Sequence, residues 1–307
     1  MKYSVHLALF LAILANGAAD IWFSATDNKP TFTLLLMRYV GMAVFLSLLL
    51  IILRQKFRYL FYSQSWVFAL FGVAAFTSGW LLTDFSGSVA YSVLGVALLP
   101  VVSFSGSALY HQKLPSGGGL ISAIFLSAIF VAFSLESFDL SRIEYVWMIG
   151  SLVFAVSLSM ELWAIRRCKF RAEAENLPHS INIHALLAAC LLGMTILIPV
   201  QAALEIYLVP GAMEFSRFFE IDWEVYRLVP FLIAAAIIMN LTMMWATSKL
   251  EGSIHPEVIL QSAVLAIVAE RIFVTEITSL NDVAPVAAGV LSLFGFSVLY
   301  VFKTKRT

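Results

Sequence analysis

Long apolar runs alternate with short polar connections along the whole of this chain. We count ten such runs, and each is close to the roughly 20 residues that a helix needs to cross a bilayer. Backbone polar groups in lipid need internal partners, so a spanning segment is either a helix or a strand of a closed barrel. Runs this long and continuous favour helices. The predicted spans are 5–25, 32–53, 66–83, 89–111, 118–134, 144–165, 183–204, 228–248, 256–274 and 284–302.

Composition supports a membrane protein. Hydrophobic residues make up 61% of the chain and charged residues 12%, whereas a soluble domain has about 25% charged residues. The formal net charge is zero, so nothing indicates nucleic acid or an acidic partner. The two cysteines, Cys168 in a basic loop and Cys190 inside a span, have no disulfide-framework or metal-site spacing. We therefore predict no metal and no cofactor.

The basic residues predict the orientation in the membrane. Thirteen lysines and arginines lie at the two termini or in the even-numbered connections, and five lie in the odd-numbered connections. The positive-inside rule then places both termini in the cytoplasm. The first run also has features of a signal peptide, because the small residues 17–19 resemble a cleavage site. It continues through residues 21–23, however, which favours an uncleaved span.

Three short matches relate the two halves of the chain. They occur in the same order in both halves, which indicates a duplication of five spans, residues 1–140 and 141–307. Because five is odd, the second half is inverted in the membrane, as in alternating-access carriers. The matched fragments are 19–22 with 160–163, Trp80 and 87–88 with Trp245 and 252–253, and 119–122 with 289–292.

Several short motifs occur along the chain. They are Asn16-Gly17, Pro30-Thr31-Phe32 with Arg38, Pro100 with His111-Gln112-Lys113-Leu114 and Gly119, and Glu270-Arg271-Ile272. Together they resemble the motifs of the drug/metabolite transporter superfamily and its EamA-type ten-helix members. The resemblance covers nearly the whole chain and implies two inverted five-helix repeats, transport, and the inner (plasma) membrane of a bacterium.

Charged groups inside spans are costly and usually face a cavity or a partner. Asp20 and Arg38 lie at similar depth on either side of a short turn, so they form either a substrate-binding or gating pair or a structural ion pair. Glu161 lies near the predicted inner end of its span. It is either a proton-coupling or binding carboxylate or an interfacial side chain that extends to the headgroups. Glu270 is a further coupling candidate, although an interfacial ion pair with Arg271 also explains it.

Aromatic and amide side chains complete the set of candidates for substrate binding or gating. The aromatic residues would line a cavity, or would belong to the aromatic belts at the membrane interface. The polar residues deeper in the spans would line the same cavity or join helices to each other. These candidates are Trp22, Trp80, Tyr91, Trp163 and Trp245, with Asn16, Ser103, Asn240 and Gln261.

The leading interpretation is a secondary transporter that moves a small polar metabolite, such as an amino acid or a related compound, by alternating access. Export is the expected direction, and proton or ion coupling would use Asp20, Glu161 or Glu270. The expected partners are the substrate and membrane lipid, and the sequence leaves a homodimer open. No enzyme motif is present, so catalysis is not expected. The alternative is an integral-membrane enzyme acting on a lipid or isoprenoid, which would need acids or histidines clustered at one membrane face.

Overall fold

The structure is a computed structural model. It describes residues 31–86, 142–178, 180–207, 226–227 and 229–249, together with Gly95, Leu98 and Val102. All regular structure in these residues is helical. The helices are α1 (Thr31–Ile52), a 3₁₀ helix (Phe57–Phe61), α2 (Ser63–Ser86), α3 (Arg142–Ala174), α4 (Ile181–Tyr207) and α5 (Val229–Lys249).

These helices confirm part of the predicted architecture. The segments Leu34–Ile52, Met148–Ala174 and Ile181–Pro199 are long and apolar enough to cross a membrane, and Val229–Trp245 is a shorter apolar helix. The chain therefore has the character of an integral membrane protein. The predicted spans 5–25, 118–134, 256–274 and 284–302, and most of 89–111, lie outside the described residues. The count of ten spans and the inverted repeat stay predictions.

Helix α3 is longer than its apolar run. It continues to Ala174, past the predicted end at residue 165. Cys168, which the sequence assigned to a loop, lies in this helix and is 2% exposed. The residues after 165 include good helix formers such as Arg, Lys, Ala and Glu. The backbone hydrogen bonding therefore continues where the hydrophobicity stops.

Helices α1 and α3 end in the same way. Arg54 and Asn176 have positive φ angles of 51° and 52°. The amide of the residue after each of them donates to a carbonyl five residues back, from Gln55 to Leu50 and from Leu177 to Ala172. This is the Schellman motif, which satisfies carbonyls that a helix end leaves without partners. Both helices therefore end at defined positions.

The described residues fall into two compact units. The first contains α1, the 3₁₀ helix, residues 63–74 of α2, residues 161–174 of α3, α4 and α5. In this unit α1 packs against α4 and α5, and α4 also contacts α5. The second contains residues 75–86 of α2, residues 142–160 of α3, and the isolated residues Gly95, Leu98 and Val102.

Within the first unit, α1 has a buried side and an exposed side that are both apolar. Leu35, Met42, Leu46 and Leu50 are buried at helical spacing. The exposed large side chains on the other side are also hydrophobic, including Val44, Phe45, Leu48 and Ile51. A soluble helix places polar residues on its outer face. The apolar outer face of α1 is typical of a helix that faces lipid.

Helix α4 is the most buried of the three long apolar helices. In its most apolar stretch 56% of the residues are buried, compared with 39% in α1 and 29% in α3. Its residues 184–190 are all buried. One turn further on, Gly193 lies against the ring of Tyr39 on α1. A β-carbon at position 193 would be 2.6 Å from Cζ of that ring. Small residues allow membrane helices to approach closely. Gly193 in this way allows α4 to pack closely against α1.

The beginning of α4 is attached to the connection between α1 and the 3₁₀ helix. His184 is fully buried. Its Nδ1 lies 2.8 Å from the Ser180 carbonyl oxygen and its Nε2 lies 3.2 Å from the Lys56 carbonyl oxygen. A carbonyl can only accept, so a ring nitrogen that carries a proton donates to the oxygen it faces. The Ser180 hydroxyl also donates to Gln55 Oε1 at 2.8 Å.

Replacing His184 by Leu is expected to lower the free energy of unfolding by about 1–3 kcal/mol, because the polar contacts to the connection are lost while the buried volume is kept. Denaturant titration of the purified protein in detergent measures this change. Ser180→Ala is the control. It removes only the hydrogen bond to Gln55 and is expected to lower the free energy of unfolding by about 1 kcal/mol. Equal stability of His184→Leu and the wild type would contradict this role for the histidine.

In the second unit, Phe154 of α3 packs against two glycines. A β-carbon at Gly79 of α2 would lie 3.0 Å from Cε2 of Phe154. A β-carbon at Gly95 would overlap the same ring and would lie 2.9 Å from the Ser151 carbonyl oxygen. The phenyl ring therefore occupies space that these two glycines leave free.

Candidate functional site: a buried carboxylate beside Gly72

Glu161 is a buried acid within one of the membrane-spanning segments. Its side chain is 8% exposed, although α3 extends well beyond it to Ala174. A carboxylate that extended to the headgroups would be exposed near the end of its helix. The Glu161 side chain is therefore not exposed at the end of its helix.

The Glu161 carboxylate faces Gly72 of α2. A β-carbon at position 72 would lie 3.0 Å from Oε1 of Glu161 and 3.4 Å from its Cδ. An alanine at position 72 would crowd the carboxylate, and a larger residue would occupy its space. Gly72 is thus the residue that makes room for Glu161. Sequence reasoning did not select it, although a glycine inside an apolar helix is a signal of close approach.

A charge buried among apolar helices is costly, and acids in membrane spans usually serve a function for that reason. Such a group can take up a proton, bind a cation, or bind the ammonium group of a substrate. The role of Glu161 in coupling or binding stays a prediction.

Arg38 is the second buried charged residue of the first unit, at 4% exposure. It lies on α1, the helix that packs against α4 and α5. The neighbouring Tyr39 of α1 contacts Gly193 of α4. Arg38 is therefore buried among the packed helices of the first unit. The predicted pairing of Arg38 with Asp20 stays a prediction, since Asp20 lies outside the described residues.

The remaining described candidates have different surroundings. Trp163 is partly buried, and the guanidinium of Arg167 lies 5.0 Å from the centre of its ring. The side-chain amide of Asn240 donates to the Ala236 carbonyl oxygen of its own helix at 2.8 Å. Trp245 is 41% exposed, and Trp80 lies in α2. The other candidates, Asn16, Asp20, Trp22, Tyr91, Ser103, Gln261 and Glu270, lie outside the described residues.

The described residues contain no group of three or more histidine, cysteine, aspartate or glutamate side chains arranged to hold a metal ion. The two buried charged candidates within them lie on separate helices, Glu161 on α3 and Arg38 on α1.

Comparison with known proteins gives a structural relationship alone. No protein-family model matches the chain, and no curated protein does. One protein of known crystal structure is similar to this chain with a TM-score of 0.69 and 16% sequence identity, over 100% of this chain and 99% of the other. At this identity the similarity concerns the fold and carries no function.

Proposed function

We propose that this protein is a secondary transporter that moves a small polar metabolite, such as an amino acid or a related compound, across the membrane by alternating access, in the direction of export. The observation that carries this proposal is the buried Glu161 carboxylate against Gly72. It is an ionisable group inside an apolar spanning helix, and such groups mark the path of a substrate or coupling ion in membrane proteins.

In this proposal Glu161 alternates between a proton or cation and the substrate. Gly72 leaves the room that the carboxylate itself occupies. Arg38, on α1, is the candidate for a substrate carboxylate or phosphate, because a guanidinium binds such groups through two parallel hydrogen bonds. The proposal places the protein in the drug/metabolite transporter superfamily, as an EamA-type member with inverted five-helix repeats. It would lie in a bacterial inner membrane with both termini in the cytoplasm.

The test is transport by the purified protein in proteoliposomes that contain a pH-sensitive dye. A panel of amino acids and related polar metabolites is added with and without an imposed pH gradient. The proposal expects at least one compound to cross with a rate that depends on the gradient. If no compound in a broad panel crosses, and the protein instead converts a lipid or isoprenoid of the liposome, the enzyme alternative replaces the transporter.

A larger residue at position 72 tests the same site through the residue that the Glu161 carboxylate packs against. Gly72→Ala places a methyl group 3.0 Å from the present position of Oε1 of Glu161. The carboxylate must then shift by a few tenths of an ångström. We expect transport to fall about threefold, because the steric change costs under about 1 kcal/mol at the end of a flexible side chain. Gly72→Val, with two further methyl groups, is expected to lower transport more than tenfold.

Leu70→Phe is the matched control for these variants. It adds bulk to the same helix at a residue that is 52% exposed. We expect its transport to equal that of the wild type. Transport rates measured in the same liposomes, at equal amounts of inserted protein, compare the three variants. An unchanged rate in Gly72→Val would show that the space beside Glu161 is not used in transport.

A further inference from the structure

The 3₁₀ helix Phe57–Phe61 has an inner and an outer face. A 3₁₀ helix has three residues per turn, so residues three apart lie on one face. Tyr59 and Tyr62, the residue that follows the helix, lie three apart and pack against the buried residues Cys168, Ala172 and Ile181. Burial is the main cause that raises the pKa of Tyr62. Arg58 and Phe61 share another face and are exposed, Phe61 by 78%.

The end of α3 has a similar division. Cys168 and Ala172, four residues apart, belong to the same buried cluster as the two tyrosines. Arg167, Phe170 and Arg171 are exposed, Phe170 by 62%. The 3₁₀ helix and the end of α3 therefore pack through a common apolar cluster, and each exposes arginine and phenylalanine side chains close together in sequence. We call Arg58, Phe61, Arg167, Phe170 and Arg171 the basic-aromatic rim.

Aromatic rings hold two of the rim arginines in place. Nη2 of Arg58 donates to the hydroxyl oxygen of Tyr59 at 3.2 Å, and its guanidinium carbon lies 5.0 Å from the centre of that ring. This hydrogen bond is the main cause that lowers the pKa of Tyr59. The guanidinium of Arg167 lies 5.0 Å from the ring centre of Trp163. A guanidinium held against a ring keeps its other N–H groups available for a phosphate.

The rim lies where apolar spanning helices end. The span of α1 ends at Ile52, that of α3 ends at Ala174 and that of α4 begins at Ile181. His184, near the start of α4, lies against the Lys56 carbonyl oxygen just before the 3₁₀ helix. Exposed phenylalanines at the end of a span are suited to the boundary between acyl chains and headgroups, and arginines beside them are suited to lipid phosphates. Two exposed acids, Glu173 and Glu175, lie near the rim. The three arginines of the rim outnumber them, so the net charge of this surface is positive.

We propose that the basic-aromatic rim is a binding site for the headgroups of anionic phospholipids. The arginines bind the phosphate, and Phe61 and Phe170 enter the adjoining acyl region. Charge complementarity selects an anionic over a zwitterionic lipid, since a cluster of basic residues beside a span is attracted to negative headgroups. The site is separate from Glu161 and does not depend on transport.

The experiment compares the affinity of the purified full-length protein for phosphatidylglycerol and phosphatidylcholine in detergent, using fluorescent lipids. We expect phosphatidylglycerol to bind at least about tenfold more tightly. Each basic residue near an anionic surface raises the binding affinity roughly fivefold. The triple variant R58Q/R167Q/R171Q is therefore expected to bind phosphatidylglycerol up to roughly 100-fold more weakly than the wild type. The preference is expected to weaken between low and high salt, because these charges are exposed.

The control variant K303Q/K305Q/R306Q removes the same number of charges from the C-terminal tail and is expected to keep the preference. The variant F61S/F170S retains every charge, keeps the proposal testable if the arginine variant does not fold, and is expected to weaken binding of both lipids. Equal affinity of the wild type for the two lipids would overturn the proposal and would leave the rim to a protein partner. Competition by inorganic phosphate at equal concentration would also overturn it, since a simple anion site would then suffice.

Discussion

Replacing Glu161 by Gln is expected to lower pH-driven transport by about tenfold to 100-fold and to remove its dependence on the pH gradient. Glutamine has nearly the same shape but cannot take up or release a proton. A hydrogen bond to a charged group is worth about 1.5–3 kcal/mol, which corresponds to this range of rates. Because the carboxylate is buried against Gly72, the neutral amide fits the same space and the fold is preserved.

The measurement is substrate flux into proteoliposomes, with and without a pH gradient, at equal protein content. Glu173→Gln is the control, because it removes an acid from the exposed end of the same helix. Its flux is expected to match that of the wild type. The Asp20→Asn variant tests the equivalent position that the repeat predicts. If Glu161→Gln retained both its flux and its pH dependence, the coupling role of this residue would be wrong.

Replacing Gly193 by Ala is expected to lower the free energy of unfolding by about 1–3 kcal/mol, which is the usual cost of overpacking a well-packed interface. The added methyl group would lie 2.6 Å from Cζ of Tyr39 and 2.7 Å and 2.8 Å from the two Cε atoms. These atoms belong to a rigid ring that is 6% exposed. Because the ring is enclosed, we expect the added methyl group to push α1 away from α4.

A double-mutant cycle separates this contact from a change in helix propensity. Alanine is a better helix former than glycine by about 1 kcal/mol, so Gly193→Ala would stabilise an isolated helix. In the background of Tyr39→Ala the ring is absent, and Gly193→Ala is expected to become neutral or stabilising. Denaturant unfolding of the four proteins in detergent measures the coupling. Additive effects of the two substitutions would contradict the contact between α1 and α4.

Much of the helical organisation could be predicted from the pattern of apolar residues. Five predicted spans correspond to the helices α1 to α5, and most boundaries agree within a few residues. The end of α3 was missed because apolarity marks where lipid ends, while helix propensity and the end motif at Asn176 decide where the helix ends. Cys168 was placed in a loop for the same reason.

The candidate site was predicted only in part. The sequence selected Glu161 and Arg38, since charged residues are rare in apolar helices, and both are buried. It could not decide between a buried and an interfacial position for Glu161. It also did not select Gly72 or Gly193, because a glycine acquires its importance from a side chain on another helix. Glu161 is 89 residues from Gly72 along the chain, and only packing brings them together.

The length and hydrophobicity of the apolar runs are enough to predict that this protein lies in a membrane as a set of long helices, because lipid provides no partners for a bare backbone. Which side of each helix faces inward became visible only in the packed structure. On α1, Leu46 is buried and Leu48 is 54% exposed, although the two residues are chemically identical. Lipid is as apolar as leucine, so hydrophobicity cannot separate the two sides. Close contacts identify the inward-facing side instead, such as those of Gly193 with Tyr39 and of Gly72 with Glu161.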